Sequence, residues 1–150
     1  MIRKQRQLDE DFIYHSWIHT IKNPCHQITD MTRCVIDDVM ERENLRVYCS
    51  DDEPDHILGW IAYTDMGETR YLHMVFVKRD FRRNGIATDL IDSVFSRKPI
   101  FTTHWSRYMK ELDASRRWGV KYSGGLLAAC VYEILEGKCQ LRPRTADSHL

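Results

Sequence analysis

The run Val75-Phe76-Val77, five further residues, and then Arg82-Arg83-Asn84-Gly85-Ile86-Ala87 sets an apolar strand, two arginines and one glycine ahead of an amphipathic helix. The chemistry such a junction suits is anion binding. The first turn of a helix leaves about four N–H groups without intrahelical partners, and the helix dipole adds positive potential at the same end. Gly85 permits a positive φ or a close backbone approach, while Arg82 and Arg83 supply charge that does not titrate away. Phosphate oxygens match all three features. The bare spacing also suits a plain helix start with exposed arginines. Two other phosphate-binding patterns, G-x-G-x-x-G and G-x-x-x-x-G-K-[ST], do not occur.

Other chemistry-bearing residues form weaker patterns. His15 and His19 are spaced i, i+4 as on a metalloprotease helix, but the glutamate required after the first histidine is missing, so a solvated helix face is the better reading. Cys25-His26 has no second pair to complete a zinc site, and no metal is expected. The acidic stretch from Asp51 to Asp55 lacks the ligand spacing and glycine of a calcium loop and reads as a solvated hairpin turn. Residues 106–110 and 115–118 mix basic and aromatic side chains, which on one helix frame ligand phosphates or face solvent rather than mark a nucleic-acid surface.

The elements that must position the junction follow from periodicity. Ile13, Trp17 and Ile21 recur every four residues and predict a helix over 11–22, stopped by Asn23-Pro24. A second helix is predicted from Thr29 or Asp30 to about Glu43, with Met31, Val35 and Val39 inward. Leu45, Val47 and Cys49 then alternate with polar or amphipathic neighbours as a half-buried strand. Residues 56–64 and 69–77 are apolar on both faces and predict two central antiparallel strands. Ile86, Ala87, Leu90, Ile91, Val94 and Phe95 make the strongest helical stripe, 100–104 a short strand, and Trp105 to Leu112 a further helix capped near Gly119. Val120 to Leu127 reads as a last strand, and Ala128 to Glu136 as strand or short helix. Residues 1–9 read as a flexible, polar arm and 138–150 as a frayed tail. The result is α+β organisation with a strand-to-helix crossover near the middle.

A chain of 150 residues is one domain by the usual prior, and 43% hydrophobic content excludes a disordered or fibrous class. Lys+Arg and Asp+Glu balance at 22 each, so no global field draws in nucleic acid or an acidic membrane. Five cysteines without C-x-x-C spacing, no signal peptide and no apolar run of about 20 residues predict a soluble cytoplasmic protein with free thiols.

The strand Val75–Val77 followed by Arg82 to Ala87 resembles the R/Q-x-x-G-x-G/A signature of the GNAT superfamily, the GCN5-related N-acetyltransferases. The order helix, helix, hairpin, strand and helix is similar to that family from about Asp11 to Leu127. Residues 56–63, 71–87 and 101–104 look especially like GNAT proteins encoded by tailed bacteriophages, for which the location would be the host cytoplasm. The resemblance implies a GNAT fold: a mixed, mainly antiparallel sheet splayed between its fourth and fifth strands and flanked by helices. It also implies an acetyl-CoA site. The strand with Val75, Phe76 and Val77 would pair with the pantetheine arm, and Arg82 together with the N–H groups of Arg83, Asn84, Gly85, Ile86, Ala87 and Thr88 would hold the pyrophosphate.

The reaction so implied is direct transfer of an acetyl group from acetyl-CoA to an amine through a tetrahedral intermediate. A general base, an N–H for the oxyanion and an acid for the thiolate each help such a reaction. The strand N–H near Val75 is the oxyanion candidate. His73, two residues before Val75 and so expected on the same face, Glu68 before that strand and His104 at the end of the neighbouring one are candidate bases. For each, a satisfied, partly buried polar residue is the plainer reading. Many family members place a tyrosine acid four residues before the glycine that ends the last helix; here that position is Ser115, with Tyr108 and Tyr122 as possible substitutes. The departure motivates a second reading, an acyl-CoA-binding protein with little or no turnover that acts through host-protein interaction. The amine acceptor is a protein lysine or N-terminus, a polyamine or an antibiotic-like molecule, and a homodimer is a further expectation.

Overall fold

The computed structural model describes residues 1–21, 26–66, 68–96, 99–104, 109–111, 119–122 and 124–136, with backbone only for 26–29 and 124. Six strands form one sheet in sequential order: β1 (Ile2–Lys4), β2 (Leu45–Cys49), β3 (Ile57–Met66), β4 (Thr69–Val77), β5 (Ile100–Thr102) and β6 (Val120–Tyr122). The first four pair antiparallel, whereas β4–β5 and β5–β6 are parallel. Parallel neighbours need a crossover, and α3 (Ile86–Val94) supplies it between β4 and β5. The other helices are α1 (Glu10–Thr20), α2 (His26–Glu41) and α4 (Gly124–Leu135). The fold is α+β, the mainly antiparallel sheet flanked by helices.

Both faces of the central hairpin are buried, as two apolar strands without alternation require. One core gathers α1, α2 and α4 over Trp60, Ala62 and Met74; the other packs α3 over Ile61, Tyr63, Val75 and Val77. In the first, Trp17 lies over Trp60 at 5.2 Å between centroids, and Trp60 stacks on Phe76 at 5.7 Å. In the second, Ile86, Leu90, Ile91 and Val94 bury one stripe of α3.

Several expectations change. The polar start is no loose arm: β1 pairs with β2, and Arg3 binds Asp9 at 2.6 Å and 2.9 Å with both side chains nearly buried. The Pro54 carbonyl accepts two further bonds from the same guanidinium, so the charge is satisfied inside. The second helix starts at His26 and stops at Glu41; its end is closed by Glu43 at φ 58 and by Asn44 N–H donating to the Val39 carbonyl, a Schellman closure. The last strand is short. After β6 the chain turns helical, because Leu127, Cys130 and Ile134 at i, i+3 and i+7 bury against α2. The helix expected over 105–118 is described only at 109–111, and the tail expected over 138–150 lies outside the described residues. Among the described residues no helix is long and apolar enough to cross a membrane.

Candidate functional site

A cavity of about 340 Å³ opens where β4 hands over to α3. Val75, Val77, Phe81, Ile86 and Ala87 give it an apolar wall, and Arg82, Arg83, Gly85, Thr88 and Glu111 complete the lining. The turn before α3 holds two left-handed residues, Arg83 at φ 64 and Gly85 at φ 80. A left-handed non-glycine residue costs of order 1–3 kcal/mol and persists where its surroundings fix it, typically at ligand-binding turns. Gly85 is the N-cap of α3 and, being glycine, makes no side-chain capping bond. The first intrahelical bond is donated by Asp89 N–H to the Gly85 carbonyl at 2.9 Å, which leaves the N–H groups of Ile86, Ala87 and Thr88 without an acceptor inside the helix. These amides and the dipole face the same cavity as the two arginines.

Two glycines have different tasks here. A Cβ on Gly85 would meet nothing within 4 Å, so this position needs glycine for its φ alone. A Cβ on Gly59 of β3 would lie 2.6 Å from the Phe76 carbonyl oxygen and 3.3 Å from Ile86 Cγ2. Gly59 thus lets the first residue of α3 sit down on the sheet.

The other wall of the site is an opening in the sheet. Among the described residues, rungs between β4 and β5 run through Tyr71–Phe101 and Leu72–Thr102, closed by Thr103 N–H donating to the Leu72 carbonyl at 3.0 Å. Beyond that rung β4 continues to Val77 with no described strand on its β5 side. An anionic group with an extended, amide-bearing apolar arm fits this arrangement: amides and arginines at the helix end, a strand edge with no partner strand among the described residues, and an apolar wall beside it.

The sequence-predicted cofactor residues fall into three groups. Val75, Val77, Arg82, Arg83, Gly85, Ile86, Ala87 and Thr88 line the cavity. Phe76 points its ring away from it, onto Trp60 and edge-on to Phe12 at 6.1 Å. Asn84 is exposed and donates to the Phe81 carbonyl at 3.3 Å, so it shapes the turn. Arg82 is anchored by its Nε donating to the Val77 carbonyl at 3.0 Å. Phe81 and Glu111 were missed: Phe81 lies in a short 3₁₀ turn, and Glu111 comes from a segment distant in sequence.

The candidate bases are placed differently from expectation. His73 is not on the Val75 face. The β3–β4 pairing slips between Ala62 and Tyr63, so that Met74 and Leu72 face consecutive β3 residues and His73 is the extra one. Its ring lies 6.2 Å from that of Trp17, under α1, while Val75 faces α3. It is fully buried and both nitrogens are engaged: Nε2 with Thr64 Oγ1 and Nδ1 with Thr103 Oγ1, each at 2.7 Å. Burial, reinforced by the nearby His104, pushes its pKa down to about 3, so the ring is neutral. His104, half-buried, bonds Thr103 Oγ1 through Nδ1 at 2.9 Å and Thr32 Oγ1 through Nε2 at 3.3 Å, and burial lowers its pKa to about 4. Glu68 does not join the site; it is exposed in the β3–β4 turn, roughly 23 Å along the strand from Val75. Tyr108 and Ser115 lie outside the described residues. Thr64, Thr103 and Thr32 were not singled out, because nothing local in the sequence marks a hydroxyl that meets a histidine across strands.

The model of the acetyltransferase (GNAT) family matches residues 13–99. No curated protein matches the chain. Among solved structures, a GCN5-related N-acetyltransferase from Sphaerobacter thermophilus is 22% identical with a TM-score of 0.50, over 63% of this chain and 30% of that one. The chain therefore spans less than a third of that protein's length. A GNAT-family acetyltransferase from Staphylococcus aureus Mu50 is 10% identical with a TM-score of 0.50, over 88% of this chain and 78% of that one. At these identities the likeness is one of fold.

Proposed function

The chain belongs to the acetyltransferase (GNAT) family, and from that premise we propose that it transfers an acetyl group from acetyl-CoA to an amine. The observation that carries the reading is the α3 N-terminus, where Ile86, Ala87 and Thr88, whose amides have no acceptor within the helix, line one cavity with Arg82 and Arg83. Helix-end amides and a guanidinium pair hold a diphosphate. The edge of β4 past Leu72 offers strand-like hydrogen bonds to the pantetheine amides, and Val75, Val77 and Phe81 cover its apolar carbons. When bound, acetyl-CoA supplies an acyl group already activated as a thioester. A backbone N–H of the β4 edge near Val75 would then donate to the carbonyl oxygen as negative charge develops on it.

Full burial, two engaged nitrogens and a pKa pushed down to about 3 make His73 a weak base, and so a support within the site rather than the group that takes the amine's proton. The acceptor is an amine of a protein, a polyamine or an aminated small molecule. Acetyl-CoA at 100 times its Kd is expected to stabilise the fold by about 2.7 kcal/mol, read as a rise in Tm. Mixing the protein with acetyl-CoA and a panel of amines should release free thiol with at least one of them. Cofactor binding without thiol release across peptides, polyamines and aminoglycosides would overturn the transfer reaction and leave a binding protein.

A further inference from the structure

Backbone pairing between β4 and β5 stops at Leu72 and Thr102, and at that same level a line of side chains takes over. Thr64 on β3, His73 on β4, Thr103 just after β5, His104 and Thr32 on α2 are joined by four successive hydrogen bonds of 2.7, 2.7, 2.9 and 3.3 Å. Thr64, His73, Thr103 and Thr32 are all buried. Each neutral imidazole has one N–H and one lone pair, and each hydroxyl one proton to give, so the whole line is satisfied when its donors point the same way along it. The bulge makes this possible. In regular pairing without the bulge, His73 would share the Val75 face, away from Thr64 and Thr103.

We propose that His73 and Thr103 are positioning residues that pin the apex of the opening between β4 and β5, and with it the strand edge that receives the acyl-CoA arm. This rests on the cofactor reading above for its functional consequence but not for its structural one. A splayed strand pair has no intrinsic stopping point: its last backbone rung frays unless something beyond it holds. Here the rung from Thr103 N–H to the Leu72 carbonyl belongs to the very residue whose hydroxyl grips His73. Thr64 fixes the imidazole from the β3 side and Thr32 ties the line to α2, so three strands and a helix set one spacing. The length of free β4 edge is then constant whether or not a ligand is bound.

Thr103→Val keeps shape and removes the hydroxyl, stranding a nitrogen on each histidine, while Thr103→Ser restores the bond. Two readouts separate the device from general stability. In ligand-free protein, amide hydrogen exchange at Thr103 is expected to quicken about 10- to 100-fold in Thr103→Val relative to the β2–β3 amides, and to return towards the original rate in Thr103→Ser. By calorimetry, CoA affinity is expected to fall about tenfold in Thr103→Val and to recover in Thr103→Ser. Exchange that rises equally throughout the sheet, or not at all, would overturn the proposal, as would unchanged CoA affinity in a Thr103→Val protein that does show the local opening. If the exchange pattern holds but the unmodified protein has no affinity for CoA, the pinned apex stands and the cofactor reading falls.

Discussion

On the α3 side of β4, Val75 and Val77 look into a cavity of about 340 Å³ beside helix-end amides that have no acceptor within the helix. On the α1 side, the ring of His73 has both nitrogens tied to threonine hydroxyls at 2.7 Å and no surface exposed. One strand thus separates amides held open from an imidazole whose hydrogen-bonding capacity is already consumed. Buried polar groups are costly unless paired, so a histidine with both nitrogens engaged can sit in a closed core. The α3 side keeps its amides at a rim where solvent or a ligand serves them. On the proposed reading, the first face meets the ligand and the second fixes the geometry that the ligand meets.

Substitutions and pH should strike the two faces differently. The largest effect is expected from Trp60→Ala, which removes the ring between Trp17 and Phe76 and should cost about 3–5 kcal/mol of stability. Denaturant unfolding measures it, and a loss below 1 kcal/mol would mean that the α1 face is not the rigid one. Acid comes next. Both histidines have folded pKa values below their unfolded value, so the unfolded chain binds more protons between pH 6.5 and about 4, and stability must fall as pH drops through that window. From pH 6.5 to 5 the pair should cost about 3 kcal/mol, and His73→Leu should remove about half of that slope. A stability profile flat over this range would contradict a neutral, buried pair.

Gly59→Ala sharpens the comparison because it acts from the sheet on the α3 side. Its Cβ collides with the Phe76 carbonyl and crowds Ile86, so a loss of about 1–3 kcal/mol is expected together with weaker CoA binding as the helix end lifts. The smallest change in stability is expected from Gly85→Ala, about 1–2 kcal/mol, since only the left-handed backbone resists it. Its effect on CoA affinity should nonetheless be tenfold or more. Equal affinities for Gly85→Ala and the original protein would separate the turn from the ligand.

The parts legible in the sequence were those whose signal is local. The α3 stripe, the two-faced apolar strands and the Gly85 junction each declare themselves within a dozen residues, and the cavity forms where the junction was expected. Features that need a partner far along the chain were not legible. Arg3 looked solvated because Asp9 and the Pro54 carbonyl enclose it only after β1 has paired. The face of His73 was misread because counting by twos assumes regular pairing, and a bulge reverses the count without a glycine or proline to announce it. Thr64, Thr103 and Thr32 carry no signal at all until three strands and a helix bring them to the two histidines.

The most direct measurement is a titration of ¹⁵N-labelled protein with CoA, followed amide by amide. If the α3 N-terminus holds the diphosphate, saturable shifts will be largest at Gly85, Ile86, Ala87 and Thr88, follow along the free edge of β4 to Val75, and be absent from the β1–β2 pair. Saturation with those four amides unmoved, or no saturation at millimolar CoA, would contradict the account.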